Sequence, residues 1–116
     1  MAQKTVMLTI NHAPHGSIFC AEGLRTAMCV ISTMEEHNAI VVFLGEGALA
    51  VLGGVERGET SRYLATLDEW ECRRTVEMES LEKAGIRADE VVTDMEILRR
   101  AEVRALVETA DFVIDF

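Results

Sequence analysis

The sequence is short of positive charge, proline and cysteine, and it contains no long apolar run. Eleven lysines and arginines stand against twenty acidic residues among 116, a formal charge of -9. Such a chain is repelled by phosphate backbones and anionic lipid headgroups, which argues against direct nucleic-acid binding and against a membrane partner. No segment approaches the roughly 18 apolar residues of a membrane span. The start, Met1-Ala2-Gln3-Lys4, runs straight into a strand-like stretch without the features of a signal peptide. Cys20, Cys29 and Cys72 are an odd number of cysteines without framework spacing. They suit a reducing compartment better than a disulfide scaffold, so a cytoplasmic location is expected. What the chain has in quantity is apolar: 49% hydrophobic residues are ample for one compact domain over residues 1–116, with a core that needs neither disulfide nor metal.

The one proline, Pro14, lies in the stretch around which the chain is organised. Val6-Met7-Leu8-Thr9-Ile10 is a nearly continuous apolar run of strand length, as expected of a strand buried on both faces in a parallel sheet. A polar loop, Asn11 to Ser17, follows. Then Leu24, Ala27, Met28, Ile31 and Met34 recur at helical spacing, marking a helix that ends near Glu36-His37-Asn38. Ala39 to Leu44 is a second all-apolar strand, and Gly45-Glu46-Gly47 turns into a short apolar helix, Ala48 to Leu52. Gly53 to Glu59 is the most flexible-looking segment.

Thr60 to Ala84 holds no proline or glycine and favours helix, yet Thr75 to Glu79 alternates like a strand, and periodicity alone leaves the window open. Gly85 is well placed as a helix C-cap. Val91-Val92 suggests a very short strand, and Thr93 with Glu96 a capping box opening a helix striped by Val103, Leu106, Val107 and Ala110. Phe112-Val113-Ile114 reads as a final buried strand. Buried strands alternating with helices imply an α/β fold, a three-layer α/β/α sandwich with a mainly parallel five-stranded sheet. In such sheets ligands collect at the carboxyl ends of the strands, where His12 to Ser17 and Gly45 to Gly47 lie.

Cys20, in the first turn of the helix after the loop, is the candidate catalytic thiol: the helix dipole and His12 or His15 lower a thiol pKa there, while Glu22 opposes them. Cys29 reads as core packing, and Cys72 sits between Glu71 and Arg73, one charge of each sign. The spacing of His12, His15 and Cys20 matches no four-ligand zinc pattern, and Gly16 alone is far from a phosphate-binding glycine fingerprint, so neither metal nor cofactor is expected. Arg62 and Tyr63 are candidates to face a neighbouring subunit. Glu77, Glu79 and Glu82 read as a solvated acidic face able to steer a basic partner, and Met7, Met28, Met34, Met78 and Met95 as core fillers.

Six segments carry a family likeness: Ala13-Pro14-His15-Gly16, Glu22-Gly23-Leu24, Phe43-Leu44-Gly45-Glu46-Gly47, Arg62-Tyr63-Leu64-Ala65-Thr66, Ser80-Leu81-Glu82-Lys83-Ala84-Gly85, and the ending Ala110 to Phe116. In this order they resemble the DsrE/DsrF sulfur-relay family, most of all its DsrF/TusC subunit. The resemblance implies a DsrEFH-like parallel sheet, and with it a helix, strand and helix between Thr60 and Ala84. It also implies a part in passing persulfide sulfur between cytosolic donor and acceptor proteins, for tRNA wobble-uridine thiolation or sulfur oxidation. The implied partners are DsrE/TusD- and DsrH/TusB-like subunits in a hetero-oligomer, or further copies in a homo-oligomer.

In that family the main sulfur-carrying cysteine belongs to the DsrE/TusD subunit, just before the helix that follows the third strand. The counterpart here, Val76-Glu77-Met78-Glu79-Ser80-Leu81, has no cysteine, and Cys72 lies several residues upstream. Neither Glu77 nor Ser80 can carry sulfane sulfur. The expected role is therefore an accessory subunit in which His12, Pro14, His15, Gly16 and Ser17, with Glu46, Arg62 and Tyr63, form a binding surface or interface. Two other readings stay open: a self-contained sulfurtransferase using Cys20, and a homo-oligomeric small-ligand or regulatory module.

Overall fold

The structure is a computed structural model and describes residues 3–33, 37–54, 58–92 and 95–116. Five parallel strands form one sheet: β1 (Thr5–Ile10), β2 (Asn38–Phe43), β3 (Arg73–Glu77), β4 (Glu96–Leu98) and β5 (Phe112–Asp115). Their order is β4-β3-β2-β1-β5. Among the described residues four helices connect them: α1 (Phe19–Ser32), α2 (Glu59–Glu69), α3 (Met78–Ala84) and α4 (Arg100–Thr109), with 3-10 turns over Gly45–Val51 and Ala88–Glu90. Parallel neighbours cannot be joined by tight turns, so every connection crosses over the sheet and places a helix or turn on a face. The α/β/α expectation is met, and the sheet is parallel throughout.

The apolar runs of β1 and β2 divide between the two faces by alternation. Leu8, Ile10, Val41, Phe43 and Val76 pack under Leu24 and Ala27 of α1, Leu64 and Leu67 of α2, and the 3-10 turn residues Ala48, Ala50 and Val51. Met7 and Val42 face the other way, onto Leu98 and Val103, with Leu106 of α4 and Ala110, its C-cap, around them. Full burial of a side chain such as Leu24 or Phe43 stabilises the fold by about 1.5–3 kcal/mol each. Among the described residues no helix is long and apolar enough to cross a membrane.

The window from Thr60 to Ala84 does divide into helix, strand and helix, and Gly85 ends α3 at φ 75°. The region before the last helix differs from its sequence reading. Val91 makes only an isolated antiparallel bridge with Leu52, and the fourth strand is Glu96–Leu98. Glu96 therefore opens a strand, where the Arg73 guanidinium holds its carboxylate at 2.9 Å, instead of capping a helix. The helix begins at Arg100, and Glu102 accepts the Arg99 backbone N–H at 3.0 Å. Thr93 and Met34, which figured in the sequence reading, and positions 55–57 of the glycine-rich segment lie outside the described residues. Within α4, Val107 is exposed, and the packed stripe is Val103 and Leu106, continued by Ala110 at the C-cap.

Candidate functional site

The carboxyl edge of the sheet carries two clefts, and the segments that bear them meet at the end of β1. The joint is a close backbone approach. Leu44 N–H donates to the Ile10 carbonyl at 2.9 Å, and a Cβ built on Gly47 would stand 2.0 Å from the same oxygen. Only glycine fits there, and this clamps the Gly45-Glu46-Gly47 turn onto the strand that feeds the His12 loop.

On one side of the joint, the loop from Asn11 to Ile18 leads into α1, and the chain's last residues hold its base. Asn11 N–H donates to the Phe116 carbonyl at 2.8 Å and Phe116 N–H to the Thr9 carbonyl at 2.7 Å. The Asp115 carboxylate accepts from the Thr9 hydroxyl and, at 2.5 Å, from the Asn11 amide. His12 stacks on Phe19 at 4.8 Å between ring centroids. An open cleft of about 530 Å³ is lined by His12, Ile18, Phe19, Glu22, Asp115 and Phe116. Two buried polar atoms of this loop, His12 Nδ1 and Ser17 Oγ, have no hydrogen-bond partner among the described residues. Pro14 is half-buried, whereas His15 and Gly16 (φ 85°) are exposed at the loop tip.

On the other side the polar groups are fully engaged. Glu77, at the end of β3, is only 6% exposed. It accepts from the Ser80 hydroxyl at 2.6 Å and from the Arg100 guanidinium at 3.1 Å, while Ser80 Oγ in turn accepts the Gly45 N–H at 2.8 Å. Burial pushes the Glu77 carboxyl up, but the hydrogen bonds from Arg100 and Ser80 and the Arg100 charge outweigh it and hold the group below its ordinary range. Arg100 also gives its backbone N–H to Glu79 at 2.9 Å. A second cleft of about 460 Å³, lined by Gly45, Glu46, Leu49, Ser80, Lys83 and Ala84, opens beside this network.

Glu77 is thus no part of a solvated acidic face: α4 and the turn after β2, distant in sequence, enclose it. It is the residue sequence reasoning missed, together with Ser80 and Arg100 as its partners. The only local trace is a glutamate ending a buried strand with a serine three residues on, at hydrogen-bonding distance across the first turn of α3.

The cysteines are dispersed. Cys20 does sit in the first turn of α1, but its side chain is fully buried in the core formed with β1 and β2 rather than open to the His12 cleft. Cys72 is buried, donates weakly to the Ala39 carbonyl at 3.4 Å, and burial pushes its thiol up to about 11, far from the thiolate form. Cys29 corrects its sequence reading: α1 packs on one side only, and this cysteine is on the exposed side. Arg62 is exposed with its guanidinium 6.0 Å from the Tyr63 ring centroid, and half-buried Tyr63 packs against the core. Neither lines a cleft of the carboxyl edge. No cluster of three or more metal-ligating side chains occurs among the described residues.

Solved structures share this architecture, among them the following two. The crystal structure of the ychN protein from E. coli superposes with a TM-score of 0.85 at 22% identity, covering 99% of this chain and 100% of that one. A protein of unknown function, MTH1491 from Methanobacterium thermoautotrophicum, superposes at 0.80 with 14% identity, covering 98% and 100%. At these identities the likeness is one of fold. No curated protein matches the chain in sequence. The sequence profile of the DsrE/DsrF-like family does match, over residues 4–116, and the chain belongs to that family.

Proposed function

We propose that the protein is an accessory subunit of a sulfur-relay complex, in the manner of DsrF/TusC, and does not itself carry the travelling sulfur. One observation supports this reading above the others. In this family the relay cysteine belongs to the DsrE/TusD subunit and stands just before the helix after the third strand, and here that place is filled by the Glu77–Ser80 pair, locked by Arg100 and the Gly45 N–H. Persulfide transfer proceeds by attack of a thiolate on sulfane sulfur, and a carboxylate or a hydroxyl supplies no such acceptor. The buried Cys20 and the unactivated Cys72 offer no ready substitute. The His12 cleft, with its exposed Ile18 and Phe19, then serves as a surface beside a partner's reactive cysteine. The proposed partners are DsrE/TusD- and DsrH/TusB-like subunits and, through them, sulfur donor and acceptor proteins.

Co-expression with DsrE- and DsrH-like subunits followed by native mass spectrometry tests the proposal. The chain is expected to co-assemble, and after exposure to a small-molecule persulfide the sulfane adduct is expected on the partner and absent from this chain. Failure to bind any such subunit overturns it. So does an adduct on this chain that disappears in Cys20→Ser, which instead establishes a self-contained sulfurtransferase.

A further inference from the structure

Two helices of the chain end in the same hydrogen-bond pattern but are closed by different residues. After α3, Gly85 N–H donates to the Glu82 carbonyl at 3.1 Å and Ile86 N–H to the Leu81 carbonyl at 2.9 Å, with Gly85 at φ 75°. After α2, Glu71 N–H donates to the Asp68 carbonyl at 3.0 Å and Cys72 N–H to the Leu67 carbonyl at 2.9 Å, and the left-handed residue, at φ 59°, is Glu71. Glycine takes this conformation without strain, whereas a residue with a Cβ does not. The position also repels an acid, because the carbonyl end of α2 is the negative end of the helix dipole and its last turn holds no basic residue. Nothing within the subunit compensates. The Glu71 side chain is exposed, and its carboxylate has no hydrogen bond or ion pair among the described residues.

Glu71 lines an open cleft of about 530 Å³ at the amino ends of β1, β2 and β3, on the opposite edge of the sheet from the two clefts of the carboxyl edge. Trp70, 43% exposed, lines it as well. The other ionisable side chains of the lining are committed. Arg73 gives its guanidinium to Glu96 at 2.9 and 3.1 Å, His37 Nδ1 accepts the Lys4 N–H at 2.9 Å, and burial pushes the Cys72 thiol up to about 11, which leaves it uncharged at neutral pH. Among its lining residues the cleft therefore presents one unbalanced charge, the Glu71 carboxylate, beside the only indole of the chain.

We propose that this cleft binds a small organic cation, an amine or guanidinium compound, with the Glu71 carboxylate as its counter-charge and the Trp70 ring as one wall. The chemistry of the lining selects a cation. A carboxylate and the negative end of a helix dipole both favour positive charge, and an indole face is the best aromatic partner for it. The net charge of -9 draws cations towards the molecule as a whole. The volume falls within the roughly 300–1,000 Å³ of small-molecule sites. The chain thus keeps a glutamate where glycine would be more stable because the carboxylate is needed for binding, an exchange of stability for function that is common at ligand sites.

Because Trp70 is the only tryptophan, a fluorescence titration of the chain alone reads this cleft directly, whether or not relay subunits bind. With agmatine or choline as the probe, a saturable change in tryptophan emission is expected, and with succinate or glycerol none. Glu71→Gln keeps the size of the side chain and removes its charge, and should weaken the binding at least about tenfold, the worth of one hydrogen bond to a charged group. Glu71→Gly should abolish the binding and, by relieving the left-handed residue, raise the urea midpoint of the fold. No saturable response to either cation, an equal response to succinate, an undiminished affinity in Glu71→Gln, or a Glu71→Gly midpoint that does not rise each overturn the proposal.

Discussion

The two halves of the carboxyl edge are made from similar parts, a strand end, a polar turn and a helix start, yet they differ in how their polar groups are satisfied. Beside β2 and β3, Glu77, Ser80, Arg100 and the Gly45 N–H form a connected network in which each group has a partner. Beside β1 and β5, the Asp115 anchor is well bonded, but His12 Nδ1 and Ser17 Oγ are buried without partners among the described residues, and Ile18 and Phe19 face solvent. A satisfied network holds one geometry, whereas orphaned polar atoms beside exposed apolar groups leave recognition capacity unspent. On the proposed reading, the first half holds the edge in shape and the second meets another molecule, and the place of the relay cysteine falls in the half that is locked.

The largest effect is expected where the halves join. Gly47→Ala drives a Cβ into the Ile10 carbonyl and should cost at least about 3 kcal/mol in urea denaturation, more than ordinary overpacking. A cost below about 1 kcal/mol would show that the joint yields and the two turns are not clamped.

Glu77→Ala should follow, at about 2–3 kcal/mol, because it strips the buried Ser80 hydroxyl of its acceptor while solvent takes up part of the loss at exposed Arg100. The pH dependence carries the same information. The Glu77 carboxyl is held below its ordinary value of 4.5 in the folded protein. Its contribution is therefore complete above that value and is lost as the pH falls below it, through the folded-state value. Glu77→Gln should flatten part of that acid limb in pH-dependent melts. Some of the limb should survive, since Arg73 holds Glu96 low in the same direction.

Ser80→Ala, which removes the acceptor for the Gly45 N–H, should cost about 1–2 kcal/mol. Ser17→Ala should lie within about 0.5 kcal/mol of wild type, since its hydroxyl gives up no polar partner among the described residues. If it proved as costly as Ser80→Ala, the contrast between the halves would collapse.

The legible parts of the fold were those whose signal is local and dense. β1 and β2 appear as unbroken apolar runs because both faces of a central parallel strand are covered, and Gly85 marks the end of α3 because a left-handed residue is needed there. β4 was not legible. Three residues, one of them a glutamate, become a strand only by pairing with β3, and that pairing is non-local. Glu77 was misread for a related reason: alternation beside Glu79 describes an exposed face until α4 and the turn after β2 close over it. Cys29 was misread because a helix packed on one side exposes residues that composition alone would bury.

The sequence by itself determined that buried strands alternate with helices in an α/β chain, that its polar loops gather at the carboxyl ends of the strands, and that Val76 to Leu81 holds no cysteine, since apolar periodicity and residue identity are properties of the linear chain. Tertiary structure alone decided which acid is buried and which cysteine is exposed. Each of those depends on a segment distant in sequence arriving, or failing to arrive, to cover the group, and the local pattern contains no record of that arrival.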